Sequence, residues 1–216
     1  MDATIRDARR GGYETARPDV QALVPRAAER ILDLGCASGA LGAALKARQG
    51  AEVVGIELDP GYARDAEDRL DRVVCADVVA GLEEDLGTFD CVVAADVLEH
   101  LVDPWDALRR ATALLRPGGV AVVSVPNVRS WETFRELGWR GRWPRRPAGL
   151  FDATHLRWFA LADARELLEQ AGLRVDAVEG QLWFEGRQRS VARLLARTPL
   201  EPFLYGQYVL RGVARG

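Results

Sequence analysis

The chain has 216 residues, of which 28% are charged and 48% hydrophobic, with 29 basic against 32 acidic side chains. That is the balance of a globular protein long enough to bury a sizeable core, and a net charge of −3 speaks against nucleic acid as a partner of the whole chain. No apolar run approaches the roughly 18 residues that cross a membrane, and the opening MDATIRDARRGGYE holds no apolar leader, so no membrane partner and a cytoplasmic location are expected.

Taken in chain order, short apolar runs alternate with helical patterns. Strands are expected at 30–35, 51–57, 72–77, 89–95 and 119–125, each valine-rich or bounded by Gly, Asp or Pro, as in strands buried on both faces of a parallel sheet. Helices are expected between them at 39–49, 60–70, 81–86 and 104–115, the last closed by the stop LLRPGG. An amphipathic helix at 160–171 ends at Gly172, LRVDAVEGQ follows as a strand, and a helical stretch at 187–197 leads to LYGQYVLRGVA as a final strand returning as a hairpin partner. The alternation predicts an α/β fold, a Rossmann-like doubly wound and mostly parallel sheet with one antiparallel last strand. Cys36, Cys75 and Cys91 have no C-x-x-C spacing. They read as three small buried side chains, not as a disulfide framework or a zinc site, and no metal is expected.

Ligands of such sheets bind beyond the carboxyl ends of the strands. There the first strand runs into ILDLGCASGALG, where Gly35, Ala37, Gly39 and Gly42 bring a backbone close to a ligand. From Ala37 the string is A-x-G-x-x-G, one substitution from a dinucleotide fingerprint. From Asp33 it is D-x-G-x-x-x-G. The helix that follows favours negative groups at its N-terminus, which suits a pyrophosphate or a carboxylate. Glu57 ends the second strand, 22 residues after Gly35, where a carboxylate accepts both hydroxyls of a ribose. Asp77 closes VVCAD, placed to accept from an adenine amine with the Val78 N–H beside it.

Five motifs in order, D-x-G-C-x-x-G, the acid Glu57, the acid Asp77, F-D-x-V, and D-V-L-E-H-L-x-D-P followed by L-L-R-P-G-G, resemble the class I S-adenosylmethionine (SAM)-dependent methyltransferases, the small-molecule branch with a seven-stranded sheet. The resemblance covers residues 30–125 by motif and the remainder by architecture. It implies one domain over 1–216 with SAM as cofactor and S-adenosylhomocysteine (SAH) as product. SAM would be held by Asp33, Gly35, Cys36, Ala37 and Gly39 at its amino-acid end. Glu57 with Leu58 would meet the ribose, Asp77 with Val78 the adenine, and Asp96 with Val97 the methionyl region; Tyr13 would contribute from a folded-over N-terminal segment. The family usually has glycine where Ala37 stands.

Residues 128–159 break the alternation. They hold four of the six tryptophans and seven arginines against three acids, so the segment is +4 and the remainder −7. A long insertion after the fifth strand reads as a lid. Its arginines 140, 142, 145 and 146 suit an anionic acceptor or a solvated loop. The P-N…W…G-R…P…D-T…H layout resembles sugar-modifying and secondary-metabolite methyltransferases, and also the MetW-like proteins of methionine biosynthesis. Only two histidines occur, His100 and His155, both on segments expected to border the pocket, and imidazole suits a base near neutral pH. Together these features predict O-methylation of a hydroxyl on a small molecule, such as a sugar or secondary metabolite. The alternatives are a MetW-like partner or regulatory protein and, further off, an NAD-dependent oxidoreductase.

Overall fold

The computed structural model describes residues 14–183 and 198–215; Tyr13 and the helix expected at 187–197 lie outside them. After a short helix α1 (Pro18–Leu23), the chain alternates β1 (Arg30–Leu34), α2 (Ala40–Gln49), β2 (Glu52–Glu57), α3 (Pro60–Glu67), β3 (Arg72–Cys75), α4 (Val78–Gly81), β4 (Phe89–Ala95), α5 (Pro104–Thr112) and β5 (Leu115–Pro126). The last part is α6 (Trp131–Thr133), a π-helical continuation Phe134–Trp139, α7 (Leu161–Gln170), β6 (Leu173–Leu182), α8 (Glu201–Leu204) and β7 (Tyr205–Ala214).

The seven strands form one sheet in the order β3-β2-β1-β4-β5-β7-β6. β7 runs antiparallel to both neighbours, and the other pairings are parallel. Leu34 stands opposite Ile56 on one side and Ala94 on the other, so the loops leaving β1, β2 and β4 emerge together at the switch point. Successive strand residues face opposite layers. Ile31, Val53 and Val93 pack with Leu41 and Leu45 of α2. Leu32, Val54 and Val92 pack with Leu108 of α5 and Leu167 and Leu168 of α7. This two-sided burial is why the strands read as continuous apolar runs.

Helix starts follow their local chemistry. Asp59 caps α3 by accepting from Gly61 N (2.8 Å) and Tyr62 N (3.2 Å), with Pro60 at the first helical position. Asp103 and Pro104 open α5 in the same way. Four expectations shift. The helix expected at 81–86 is α4, one turn beginning at Val78, because Asp77 caps it through Val79 N at 2.9 Å. The third strand stops at Cys75, leaving Asp77 beyond its end. α5 ends at Thr112, and β5 starts at Leu115 because Phe89 pairs with Leu115 ahead of a register shift. Cys75 is exposed whereas Cys36 and Cys91 are buried; all three are free thiols.

Candidate functional site

The loop after β1 is shaped by what presses on it. Gly35 has φ +64°, and a Cβ there would lie 2.7 Å from a Val97 methyl; Gly39 has φ +79°, and a Cβ would lie 3.2 Å from the Ala66 Cα. A side chain at either position would be strained, and at Gly35 it would clash with Val97. Ala37 adopts φ +47°, the left-handed region that glycine enters freely and alanine does not. Gly39 is the N-cap of α2 and supplies no side-chain hydrogen bond, so the first N–H groups of that ten-residue helix remain available at the loop. Cys36 faces the other way: its Sγ lies 2.5 Å from where a Gly55 Cβ would be, and burial pushes the thiol well up, out of reactive range. Its backbone alone belongs to the loop.

Two acids stand against this loop. Glu57 accepts from Ala37 N (2.9 Å) with one oxygen and from Asp59 N (2.7 Å) with the other, which fixes the carboxylate at the end of β2. Burial raises its pKa, and the two backbone donors oppose the rise. Asp33 is 2% exposed, and its Oδ2 has no hydrogen-bond partner. Burial and the nearby Glu57 charge push its carboxyl up to about 7. Leu58 is exposed. Asp77 is exposed and Val78 buried, at the neighbouring strand end.

Asp96 adopts φ +57° and is held by a network. It accepts from Ser124 Oγ (2.8 Å), from Gln207 Nε2 and from Arg17 Nη1, while Arg17 also pairs with Asp19 at 2.9 Å. Asp96 thus ties the N-terminal segment to β5 and β7, and Val97 beside it closes on Gly35. Ser124 and Gln207 were not legible as site residues, because the antiparallel return of β7 alone brings them to Asp96.

The two histidines meet, with ring centroids 4.7 Å apart in an edge arrangement. His155 Nδ1 lies 3.1 Å from Leu150 O. His100 Nδ1 lies 3.3 Å from Thr154 O and 3.0 Å from Thr154 Oγ1. Glu99 places Oε1 4.0 Å from His155 Nε2. It is 1% exposed, and neither carboxylate oxygen has a hydrogen-bond partner. Burial, with Asp96 nearby, pushes its carboxyl well above the usual range. The Glu99 carbonyl accepts from Leu156 N (2.8 Å) and Arg157 N (3.0 Å), fastening the 128–159 segment to the end of β4. Asp152 caps Thr154, accepting from its N and Oγ1.

That segment leaves and re-enters the fold at one point: Asn127 bridges Phe159, and Val128 N donates to Phe159 O at 2.9 Å. Buried Glu136 pairs with Arg135 (2.8 Å) and Arg140 (2.9 Å) and lies 3.6 Å from Arg146, which also pairs with Glu132. Arg145 reaches Ala153 O at 3.3 Å. Of the four arginines 140, 142, 145 and 146, Arg140 and Arg146 are therefore paired with acids inside the segment. Trp143 stands edge-on to Trp158 at 5.5 Å, and both line an apolar cleft of about 380 Å³ with Val128. No described helix is long and apolar enough to cross a membrane.

A family described as a methyltransferase domain matches residues 8–178. The ubiquinone biosynthesis O-methyltransferase of Azorhizobium caulinodans is 32% identical over 202 residues, covering 88% of this chain and 75% of that protein. Among solved structures, a SAM-dependent methyltransferase of Thermotoga maritima, described as a possible histamine N-methyltransferase, superposes with a TM-score of 0.66 at 18% identity, covering 97% of this chain and 92% of that one. The magnesium protoporphyrin IX methyltransferase of Synechocystis, solved with bound SAH, gives 0.61 at 18% identity over 100% and 88% of the two chains. The seven-stranded order with its antiparallel β7 is the fold these structures share, and the sequence match decides between the two cofactors that the first loop alone left open: the chain belongs to the methyltransferase-domain family and is a SAM-dependent methyltransferase.

Proposed function

We propose that the chain methylates a hydroxyl oxygen of a small molecule, with residues 128–159 as the lid over the acceptor. The observation that carries the cofactor side is the loop Gly35–Gly39, whose two glycines are hemmed in by Val97 and Ala66 and which is faced by the buried acid Asp33 and by Glu57. The unmatched Oδ2 of Asp33 suits a cationic ammonium, the open N–H groups of α2 suit a carboxylate, Glu57 suits ribose hydroxyls, and Asp77 with the Val78 N–H suits an adenine edge. SAM supplies a methyl group already activated on a sulfonium, so alignment and removal of the acceptor's proton are what remain for the protein.

On the acceptor side, Arg140 and Arg146 are held by acids of the segment itself, and the apolar cleft at Trp143 and Trp158 suits a ring-shaped molecule. The Glu99–His100–His155 cluster is the group to which the hydroxyl's proton is drawn. The name carried by the curated relatives supports oxygen as the methylated atom. The test is incubation with SAM and a panel of phenols, quinols and sugars, read as methylated product by mass spectrometry. His100→Ala and His155→Ala lower turnover by roughly 10²–10⁴-fold, the usual contribution of acid–base groups. Full turnover in both variants contradicts the acceptor-side assignment.

One observation favours a second, partner-binding function of the MetW-like kind. Phe134, Leu137 and Trp139 are exposed along the segment after α6, Trp139 by 83%, which is more apolar surface than a lone side chain presents. A partner-type protein binds SAH yet methylates none of the panel.

A further inference from the structure

We infer that the cavity between the starts of α5 and α7 binds a small organic cation bearing an alkylated ammonium. Asp103 and Pro104 open α5 and place Trp105 in its first turn, and Trp158 and Phe159 come just before α7. Where these stretches meet, Trp105, Trp158, Phe159, Arg157, Asp163 and Glu166 bound a space of about 390 Å³, within the size range of small-molecule sites. Trp105 and Phe159 are tilted at 57° with ring centroids 6.4 Å apart. Trp105 and Trp158 are 41% and 43% exposed, so both indoles are open to whatever enters. None of these residues belongs to the Gly35–Gly39 loop or to the acids beside it.

The charges around the rings select the ligand. Asp163, Glu166 and Gln170 follow one another at helical spacing and share one face of α7. Asp163 accepts from Ala160 N (2.9 Å) and Glu166 from Gln170 Nε2 (2.9 Å); among the described residues neither carboxylate pairs with a cation. Arg157 is the cation of the lining, and it donates to Leu156 O (3.0 Å) and to Val102 O. Two acids against one arginine leave the cavity net negative. The rings point the same way. Arginines already lie over Phe89, Phe203, Trp131 and Phe151, whereas among the described residues no cation lies over Trp105 or Trp158. Indole is the aromatic side chain that attracts a cation most strongly. An alkylated ammonium gains from the rings and the acids together, whereas a metal ion needs a convergent set of oxygens that two carboxylates on an exposed helix face do not make. Trp158 also lines the apolar cleft with Trp143, so a cation held here would fix a ring that the proposed acceptor meets.

The test titrates the full chain calorimetrically with choline and with its neutral carbon analogue, in which a tert-butyl group replaces the trimethylammonium. One choline per chain is expected, bound about 10-fold more tightly than the analogue, the scale of a cation–π contact in a partly dry site. Trp105→Ala weakens choline by about 10-fold and Glu166→Gln by about 3-fold, with circular dichroism confirming the fold of each. Choline binding persists at saturating SAH. No saturable choline binding, equal binding of the analogue, or choline binding unchanged in either variant overturns the site. Displacement of choline by SAH overturns it too, since the cation then sits at the cofactor edge. Choline binding by a chain that takes up no SAH overturns only the methyl-donor assignment.

Discussion

Among the described residues, Arg17, Ala37 and Asp96 are the three non-glycine residues with positive φ, and all three border the same strand ends. Backbone strain of this kind persists where surrounding contacts overdetermine it. Arg17 and Asp96 hold each other, whereas Ala37 is held through its backbone, by the Glu57 carboxylate at its N–H and a long contact from Cys36 Sγ to its carbonyl. Ala37→Gly therefore stabilises the fold by about 1 kcal/mol, read as a higher urea midpoint with unchanged slope. Asp33 gives a pH dependence with a definite sign. Folding raises its pKa from 3.8 to about 7, so the folded chain binds more protons than the unfolded chain between those values. This contribution is present in full below about pH 4 and is lost as pH rises through 7. Asp33→Asn removes it, so in the free protein the variant gains on the parent by a few kcal/mol, on the scale of about 1.4 kcal/mol per pKa unit, between pH 5 and pH 8. Parallel urea curves at the two pH values contradict the buried acid. The glycines and Glu57 were legible in the sequence because a backbone approach and a strand-end acid leave local marks. Glu99 was not, since an acid in DVLEHL reads as a surface residue until the fold encloses it.

At the scale of elements, the caps that set helix starts are the most direct handle on stability. Asp59→Ala removes two hydrogen bonds to the first turn of α3 and lowers stability by about 1 kcal/mol, read in the same urea experiment. The strands were legible because burial on both faces writes continuous valine-rich runs. Helix limits were less so: Asp77 captured Val79 N and started α4 early, and β5 began ahead of its Pro-Gly-Gly because Phe89 already pairs with Leu115. The role of the 128–159 arginines was hidden altogether. Their neutralisation depends on the π-helical stretch and the return of the chain, which set Glu132 and Glu136 against Arg135, Arg140 and Arg146. Glu136→Gln loosens that clasp, so trypsin cleaves at Arg140 and Arg142 faster than in the parent while the sheet core stays resistant. Equal cleavage rates contradict a clasp centred on Glu136.

For the whole molecule, the alternation of strands and helices announced the doubly wound sheet, and the late LYGQYVLRGVA run announced its antiparallel strand. What the alternation did not contain is the convergence of β4, β5 and β7 on Asp96 or of the inserted segment on Glu99, since both arise from contacts between residues 28 to 111 positions apart. Both gather at the carboxyl edge where β1, β2 and β4 release their loops, next to the Gly35–Gly39 turn. The most direct measurement on this arrangement is calorimetric titration of the full chain with SAH, for the parent and for Glu57→Ala. The parent binds one SAH, and Glu57→Ala binds it about 1.5–3 kcal/mol more weakly, the worth of hydrogen bonds to a charged group. A parent that binds no SAH, or a variant that binds it equally well, contradicts a cofactor seated on this edge with its ribose against Glu57.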